Sequence, residues 1–330
     1  MNTILITGVG GGVGQSIVKC LQGRYRLVGV DEFALAAGLY AVDQAYIVPP
    51  PKDPRFIDCL LEIARAEGCS IVFPGLDPEL AAVAAAADRF REHGIHMVIS
   101  SPEVVDLSDD KLGTAQFLAK HGFPAPRTQM LSDPVEPDMP FPVVLKPRKG
   151  GARSRGIHVA RNAAEVDALR PTLPADNYVV QEQIEGDEYT CGTVNIGGTC
   201  GGVITMRRTL RNGDTYKAFV TKDEQLAAFV KSVADVLQPF GACNFQLRLR
   251  DGKAYIFEFN ARCSGTTHCR ALAGFNEPEL IAEFLLNGVE PQYTIREISV
   301  LRYWNELTVD NADIARLERD HTLAGGGRRL

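Results

Sequence analysis

The first apolar run of the chain, Thr3 to Thr7, carries no charge and is followed at once by glycines. A short run of that kind reads as a buried strand. Gly8 to Gly14 reads as a turn, and Gln15 to Leu21 has helical spacing. Arg26 to Asp31 is a second strand. Ile71 to Pro74 and His96 to Ser100 are further strands, with helical patterns over Phe56 to Glu67 and Pro78 to His93. Strand and helix alternate, which predicts an open α/β unit with a parallel sheet. The pattern changes after Ser100. Two capped helices with a proline-rich exit are expected before Thr128. Val143 to Lys146 and Gly156 to Ala160 read as strands around a loop, followed by a helix over Ala163 to Leu169 and a strand over Tyr178 to Gln183. Ala242 to Leu249 and Ala254 to Asn260 alternate around Asp251-Gly252, which predicts a hairpin. Ile298 to Val309 reads as a strand pair, and Gly325 to Arg329 as a frayed end.

Composition narrows the class. A chain of 330 residues suits two or three packed modules. The longest apolar run, Leu80 to Ala87, is far short of a membrane span. Met1-Asn2-Thr3 leads directly into the first strand, so no secretory signal and a cytoplasmic location are expected. The eight cysteines form no Cys-x-x-Cys pair, which argues against structural zinc. A net charge of −6 disfavours nucleic acid as a partner.

The glycine turn raises a dinucleotide question. Glycine at i, i+2 and i+5 fails, because Val13 stands where the third glycine is needed. The looser Thr-Gly-x-x-Gly-x-x-Gly spacing fits Thr7, Gly8, Gly11 and Gly14, and Asp31 ends the second strand where an acid holds a ribose. No tyrosine has lysine four residues on, however, so the proton-transfer pair of a short-chain dehydrogenase is missing. The turn then serves either close packing or a helix N-terminus facing an anion. Asp77 and Glu79 fall at the carboxyl edge of the sheet, where such units bind ligands. The plain alternative is that Asp77 caps the helix and Glu79 occupies its first turn.

Further on, Lys146, Arg148, Lys149, Arg153 and Arg155 crowd one glycine-bearing stretch, suited to closing over phosphates or to a solvated turn. Glu182, Glu185, Asp187 and Glu188 follow an apolar strand, suited to ribose hydroxyls or to a solvated acidic turn. On the late hairpin, period two puts Glu258, Asn260 and Arg262 on one face, with Phe257 and Phe259 on the other. Oxygen donors on one face suit Mg²⁺. A plain two-residue turn would oppose Gln246 to Phe257, so Gln246 joins Glu258 only if the loop is odd or the hairpin is bulged. Arg207, Arg208 and Lys217 lie on strands that could line an acceptor pocket or remain surface charges.

These segments, in this order, resemble the ATP-grasp superfamily, and within it one half of the carbamoyl-phosphate synthase large chain and its short single-module homologues. The resemblance covers nearly the whole chain. It implies a mixed α/β and α+β protein: a Rossmann-like pre-ATP-grasp module over 1–105 that carries no dinucleotide, a small lobe over 106–182, and a large lobe over 183–330. It implies ATP and Mg²⁺ or Mn²⁺ as cofactors. Lys111 and Lys146 would meet the phosphates, and Lys149, Gly151 and Arg155 would belong to the mobile glycine-rich loop. Glu182, Gln183 and Ile184 would form the adenine hinge, with Glu188 on the ribose. Gln246, Glu258 and Asn260 would hold the metal, and Arg262 with Lys146 would be catalytic. Gly10, Glu79, Arg207 and Lys217 are carried as substrate candidates. Many relatives have an acid at the position of Gln246, so a lower charge at the metal is expected.

The implied activity is ligation of a small carboxylate to an amine through an acyl phosphate, with neither nucleic acid nor membrane as partner and a homodimer left open. A kinase or carboxylase like carbamoyl-phosphate synthase, an NAD(P)-binding oxidoreductase and a non-catalytic nucleotide-binding module are the alternatives.

Overall fold

A computed structural model describes residues 1–330 except 152–154 and 326. The first unit is built from β1 (Thr3–Thr7), α1 (Gly12–Leu21), β2 (Arg26–Asp31), β3 (Gln44–Ile47), α2 (Phe56–Ala66), β4 (Cys69–Phe73), α3 (Leu80–Arg91) and β5 (His96–Met97). β1 to β5 form a parallel sheet in the order β3-β2-β1-β4-β5. Its central strands β1, β2 and β4 are mostly apolar because both faces are covered. Leu5, Val28 and Val72 face the core that holds Phe56, Leu60 and Val83. Ile4, Ile6, Leu27 and Phe73 face the other core, with Ile17 and Leu21 of α1. Sequence pattern missed β3, whose four residues Gln-Ala-Tyr-Ile are half polar. It also started α3 too early: Asp77–Glu79 is a separate 3₁₀ turn.

α4 (Pro102–Asp109) and α5 (Lys111–Lys120) follow, capped by Ser101 and Asp110 as their sequence foretells. Next come β6 (Thr128–Met130), β7 (Val143–Pro147), β8 (His158–Ala160), α6 (Ala163–Leu169) and β9 (Tyr178–Glu182), whose strands form an antiparallel sheet in the order β6-β9-β7-β8. The largest lobe carries β10 (Asp187–Ile196), β11 (Thr199–Arg211), β12 (Asp214–Thr221), α7 (Glu224–Leu237), β13 (Gly241–Arg250), β14 (Lys253–Asn260), α8 (Thr267–Leu272), α9 (Glu277–Asn287) and β15 (Ser299–Leu301). Its sheet is antiparallel, in the order β14-β13-β10-β11-β12-β15. Residues 298–309 supply only the edge strand β15, not a pair, and beyond it Tyr303 and Trp304 are exposed.

The chain end departs from expectation most. After α10 (Asn311–Asp320), β16 (Thr322–Ala324) adds antiparallel to β3 and completes the first sheet from the opposite end of the sequence. The Gly325 amide donates to the Asp43 carbonyl at 2.9 Å, and Leu317 and Leu323 are buried in the same core as Ile4 and Ile17. A glycine tail read alone looks frayed. Here it is held by a β edge that is visible only once β3 is known. The same core runs on to Val194, Ile204 and Phe275 of the large lobe, so apolar packing fixes the first unit against the sheet that carries the late hairpin. Among the described residues, no helix is long and apolar enough to cross a membrane.

Because Leu317 is fully buried, Leu317→Ala should lower unfolding free energy by about 2–5 kcal/mol, read as a shift in the urea midpoint. A frayed terminus would show no shift.

Candidate active site

A cleft of about 540 Å³ lies between the two antiparallel sheets and is closed at one side by the first unit. Among the described residues seven basic and five acidic side chains line it, a positive excess in a chain of net charge −6. The late hairpin builds its floor. Asp251 and Gly252 both have positive φ, and Arg250 opposes Lys253, so the turn is the plain two-residue kind. Register would then send Glu258 to the core with Ala254 and Ile256. Instead the pairing shifts between Leu247↔Ile256 and Gln246↔Glu258, leaving Phe257 as the extra residue of a β-bulge. Past it the parity is reversed: Phe259 is buried in the core, while Glu258 and Asn260 line the cleft beside Gln246 and Asn244. Phe257, expected on the opposite face, also lines the cleft.

Lys146 enters from β7. Its Nζ donates to the Phe257 carbonyl at 3.4 Å and lies 5.4 Å from the centroid of that ring. Burial pushes its pKa down to about 8, with Glu258 pulling it back up and Lys111 adding to the depression. Lys111, at the first turn of α5, is also buried and lines the cleft. The other basic residues of the loop separate. Arg148 straps β7 to α5, its Nε donating to Asp110 at 2.8 Å and its Nη2 at 2.5 Å. Lys149 pairs with Asp106 at 2.5 Å and does not line the cleft, which corrects its expected place on the phosphates. Gly151 and Arg155 do line it. Arg153 and the middle of the glycine-rich loop, 152–154, fall outside the described residues.

The acidic candidates are already paired. Glu182 accepts from Arg250 at 2.8 Å and from the Arg127 amide at 3.2 Å. Glu188 accepts from Arg208 at 2.7 Å and Arg248 at 2.6 Å. Both line the cleft, with Gln183 and Ile184 between them, and the buried Oε1 of Gln183 has no partner among the described residues. Arg208, one residue from the expected Arg207, reaches the Gln246 oxygen at 2.7 Å. Arg207 instead lies 4.7 Å from the centroid of the Phe219 ring and 3.7 Å from Asp187, and Lys217 lies 5.8 Å from the centroid of the Tyr216 ring. Neither lines the cleft, so their place as substrate contacts is corrected. Strand alternation allowed either arginine, and the β10–β11 register selects Arg208.

The donor set on the hairpin is all oxygen, with Glu258 its one carboxylate. Glu258 accepts from Asn260 at 3.2 Å. That set fits a hard ion such as Mg²⁺ that keeps most of its coordination for water and phosphate. It does not fit a tightly resident ion: no cluster of three acidic, His or Cys ligands exists among the described residues.

Arg262 has a partner that sequence reading missed. Its Nε and Nη2 donate to Asp77 at 2.7 and 3.0 Å, and its Nη2 donates also to Asn260 Oδ1 at 3.0 Å. Asp77, read earlier as a helix cap, thus brings a carboxylate from the first unit to the late motif. Although burial works against its charge, Arg262 holds that carboxyl below the usual range. The two residues are 185 positions apart, and no local pattern links them. Below this floor, Arg270 and Glu277 form a fully buried pair at 2.8 Å, and Arg270 also donates to Asn244 and, at 3.1 Å, to Thr190.

The glycine turn is packed shut. A Cβ at Gly8 would meet Leu76 and one at Gly14 would meet the Gly8 carbonyl, so these glycines serve close approach. Asp31 is taken by the amides of Gly10 at 2.8 Å and Phe33 at 3.3 Å, where a dinucleotide would need it for the ribose. Gly10 and Glu79 lie away from the cleft, in a second cavity.

Known proteins share this architecture. The family described as "PylC-like, N-terminal domain" matches residues 4–98, and "ATP-grasp in the biosynthetic pathway with Ter operon" matches 175–307. A carbamoyl-phosphate synthase of Methanobrevibacter smithii is 31% identical over 169 residues, which is 49% of this chain and 44% of that relative. This chain therefore spans less than half of that relative. The solved ADP complex of an N5-carboxyaminoimidazole ribonucleotide synthetase superposes with a TM-score of 0.74 at 17% identity, over 97% of this chain and 84% of the other. An L-amino acid ligase of Bacillus licheniformis superposes with a TM-score of 0.67 at 18% identity, over 87% and 74%. At such identities the superpositions establish the fold.

Removing one partner of the buried pair leaves a bare charge. Arg270→Leu should therefore destabilise by about 3–5 kcal/mol, and adding Glu277→Leu to it should recover part of that loss. Chemical denaturation of both variants measures it, and a single variant as stable as the parent would contradict the reading.

Proposed function

We propose that this chain is an ATP-grasp protein, and within that superfamily an ATP-dependent ligase joining a small carboxylate to an amine. One observation carries the proposal: Lys111, Lys146, Arg155 and Arg262 converge with Glu258 and Asn260 in a single cleft between two antiparallel sheets. That assembly suits a polyphosphate and an acid reacting side by side. The seven cations lining the cleft favour anions of both kinds.

Glu258, Asn260 and Gln246 are the residues that would hold Mg²⁺. Gln246 would have to share its oxygen with Arg208, which already donates to it. Bound there, the ion supplies charge neutralisation to the phosphate tail. The chain's own groups do the rest. Lys111 and Lys146 offset phosphate charge from the small-lobe side, and Arg155 adds to them from the loop. The hinge at Gln183 and Ile184 receives the base, with the free Oε1 of Gln183 available to an amino group. Arg262, held in plane by Asp77, orients the substrate carboxylate.

The carboxylate oxygen attacks the γ-phosphorus; the new O–P bond forms as the bond to ADP breaks. The amine then attacks the acyl carbon, phosphate leaves with the C–O electron pair, and the nitrogen loses a proton. Positioning and charge carry this chemistry, with no protein nucleophile required. Bicarbonate as the acid is the second reading, favoured by the 31% identity to a carbamoyl-phosphate synthase. Product mass separates an amide from a carboxylated or carbamoylated product.

Arg262→Ala should lower substrate-stimulated ADP release about 10²–10³-fold, or roughly 3–4 kcal/mol, and Glu258→Gln should abolish it. Both variants should remain folded, with Arg262→Ala melting lower because its pair with Asp77 is lost, and near-parental turnover in either would rule the mechanism out.

Lys146 gives a pH test. Only its protonated form attracts phosphate, and its pKa in the free protein is about 8. MgADP affinity should be flat below that pH and fall by up to about tenfold per pH unit above it. In Lys146→Arg the break should vanish, as an arginine stays charged. Calorimetric titrations from pH 6.5 to 9.5 decide.

A further inference from the structure

The second cavity, about 340 Å³, lies at the carboxyl ends of β1 and β2 and shares Leu76 and Gly11 with the wall of the cleft. Its charge is of the opposite kind. Asp31, Glu32 and Glu79 line it, and no basic side chain does so among the described residues. The remaining wall is mostly apolar, including Val30, Val48, Phe56 and the exposed lip residues Phe33 and Leu35.

Glu79 is the unusual member. It is fully buried, and its Oε1 accepts from the Thr7 hydroxyl, the Gly75 amide at 2.8 Å and the Leu76 amide at 2.9 Å. Its Oε2 is equally buried yet accepts from no described group. Three bonds on one oxygen suffice to pin the turn after β4 to β1. They leave the second oxygen desolvated and unpaired, which is costly for a carboxylate. A donor from a ligand would remove that cost. Three acids without a counter-cation select a positive donor and repel phosphate, and the apolar wall selects a carbon body.

We propose that this cavity binds a small organic ammonium, its NH₃⁺ donating to Glu79 Oε2 and its alkyl body packed between Val48 and the Phe33–Leu35 lip. The site is separate from the nucleotide cleft and does not depend on the ligase reading, since binding alone reports it.

The test titrates the full chain with n-pentylamine, 1-pentanol and pentanoate at pH 8, above the value near 7 to which burial pushes Glu79. Calorimetry gives affinities, and amide shifts of Gly10 and Ala36 locate the ligand. The amine should bind at least about tenfold tighter than the alcohol, pentanoate should not bind, and saturating ADP should leave the amine affinity unchanged. Glu79→Gln keeps an acceptor for Thr7, Gly75 and Leu76. It should weaken the amine at least about tenfold while leaving the alcohol unchanged. Phe33→Ala, at an exposed position, should weaken both without touching the fold. Equal binding of amine and alcohol, an unaltered amine affinity in Glu79→Gln, or displacement of the amine by ADP would each overturn the assignment.

Discussion

The cleft depends on one extra residue. Without the bulge at Phe257, the hairpin turn at Asp251-Gly252 would hold β14 in a register that sends Glu258 into the core beside Ile256. An ionised carboxylate there would lose its hydration with no cation in reach. With the bulge, parity reverses between Ile256 and Phe259, and both polar residues of the motif turn to the cleft. The displaced backbone is used as well. The Phe257 carbonyl is the acceptor for the buried ammonium of Lys146 at 3.4 Å. One local irregularity thus couples the Glu258–Asn260 face of one sheet to Lys146 of the other.

A second coupling runs from the first unit. Asp77 meets Arg262 in a fork, with the arginine mostly buried and the aspartate half exposed. The fork is supported from both sides. α1 packs against α8, the Ser16 hydroxyl donates to the Gly265 carbonyl at 3.0 Å, and one apolar core is shared by the first sheet and the large lobe. Arg262 is thereby fixed in orientation: its Nε and Nη2 hold Asp77 in a bidentate fork, and its Nη1 donates to the Cys263 carbonyl at 3.0 Å. The glycine turn that resembles a dinucleotide site serves this docking: its glycines let Leu76, the residue before Asp77, sit against the backbone of Gly8.

Much of this was legible from residues alone, and the limits have physical causes. Period and turn chemistry located four strands of the first sheet, the two capped helices after Ser100, and the late hairpin, because each depends on neighbours within a few positions. The irregularity was legible only as a condition: register arithmetic required an odd loop or a bulge if Gln246 was to face Glu258, and the chain takes the bulge. Arg208 was not separable from Arg207, since the register between β10 and β11 is set by tertiary pairing. Arg248 and Arg250 as partners of Glu188 and Glu182, Asp77 as partner of Arg262, and β16 as partner of β3 all join distant segments, for which one chain offers no periodic signal. Lys149 failed differently. Charge density in a loop says nothing about which member is claimed by a nearby acid, here Asp106.

The two cavities divide the charge of the molecule. The chain is acidic overall, yet its central cleft carries an excess of cations while the adjoining cavity holds only acids. Leu76 and Gly11 stand between them and belong to both walls. Such a partition is unstable unless each side is compensated locally. In the cleft Arg208 and Arg248 pair with Glu188, and Arg262 pairs with Asp77; among the described residues Lys111, Lys146, Arg155 and Arg302 are its remaining basic side chains, set against Glu182, Asp214 and Glu258. In the other cavity backbone amides donate to Asp31 and to one oxygen of Glu79; the second oxygen of Glu79 is buried without a partner among the described residues, and Glu32 stands exposed at the rim. What remains uncompensated on each side is small, specific and opposite in sign. The wall they share keeps those two demands from cancelling each other.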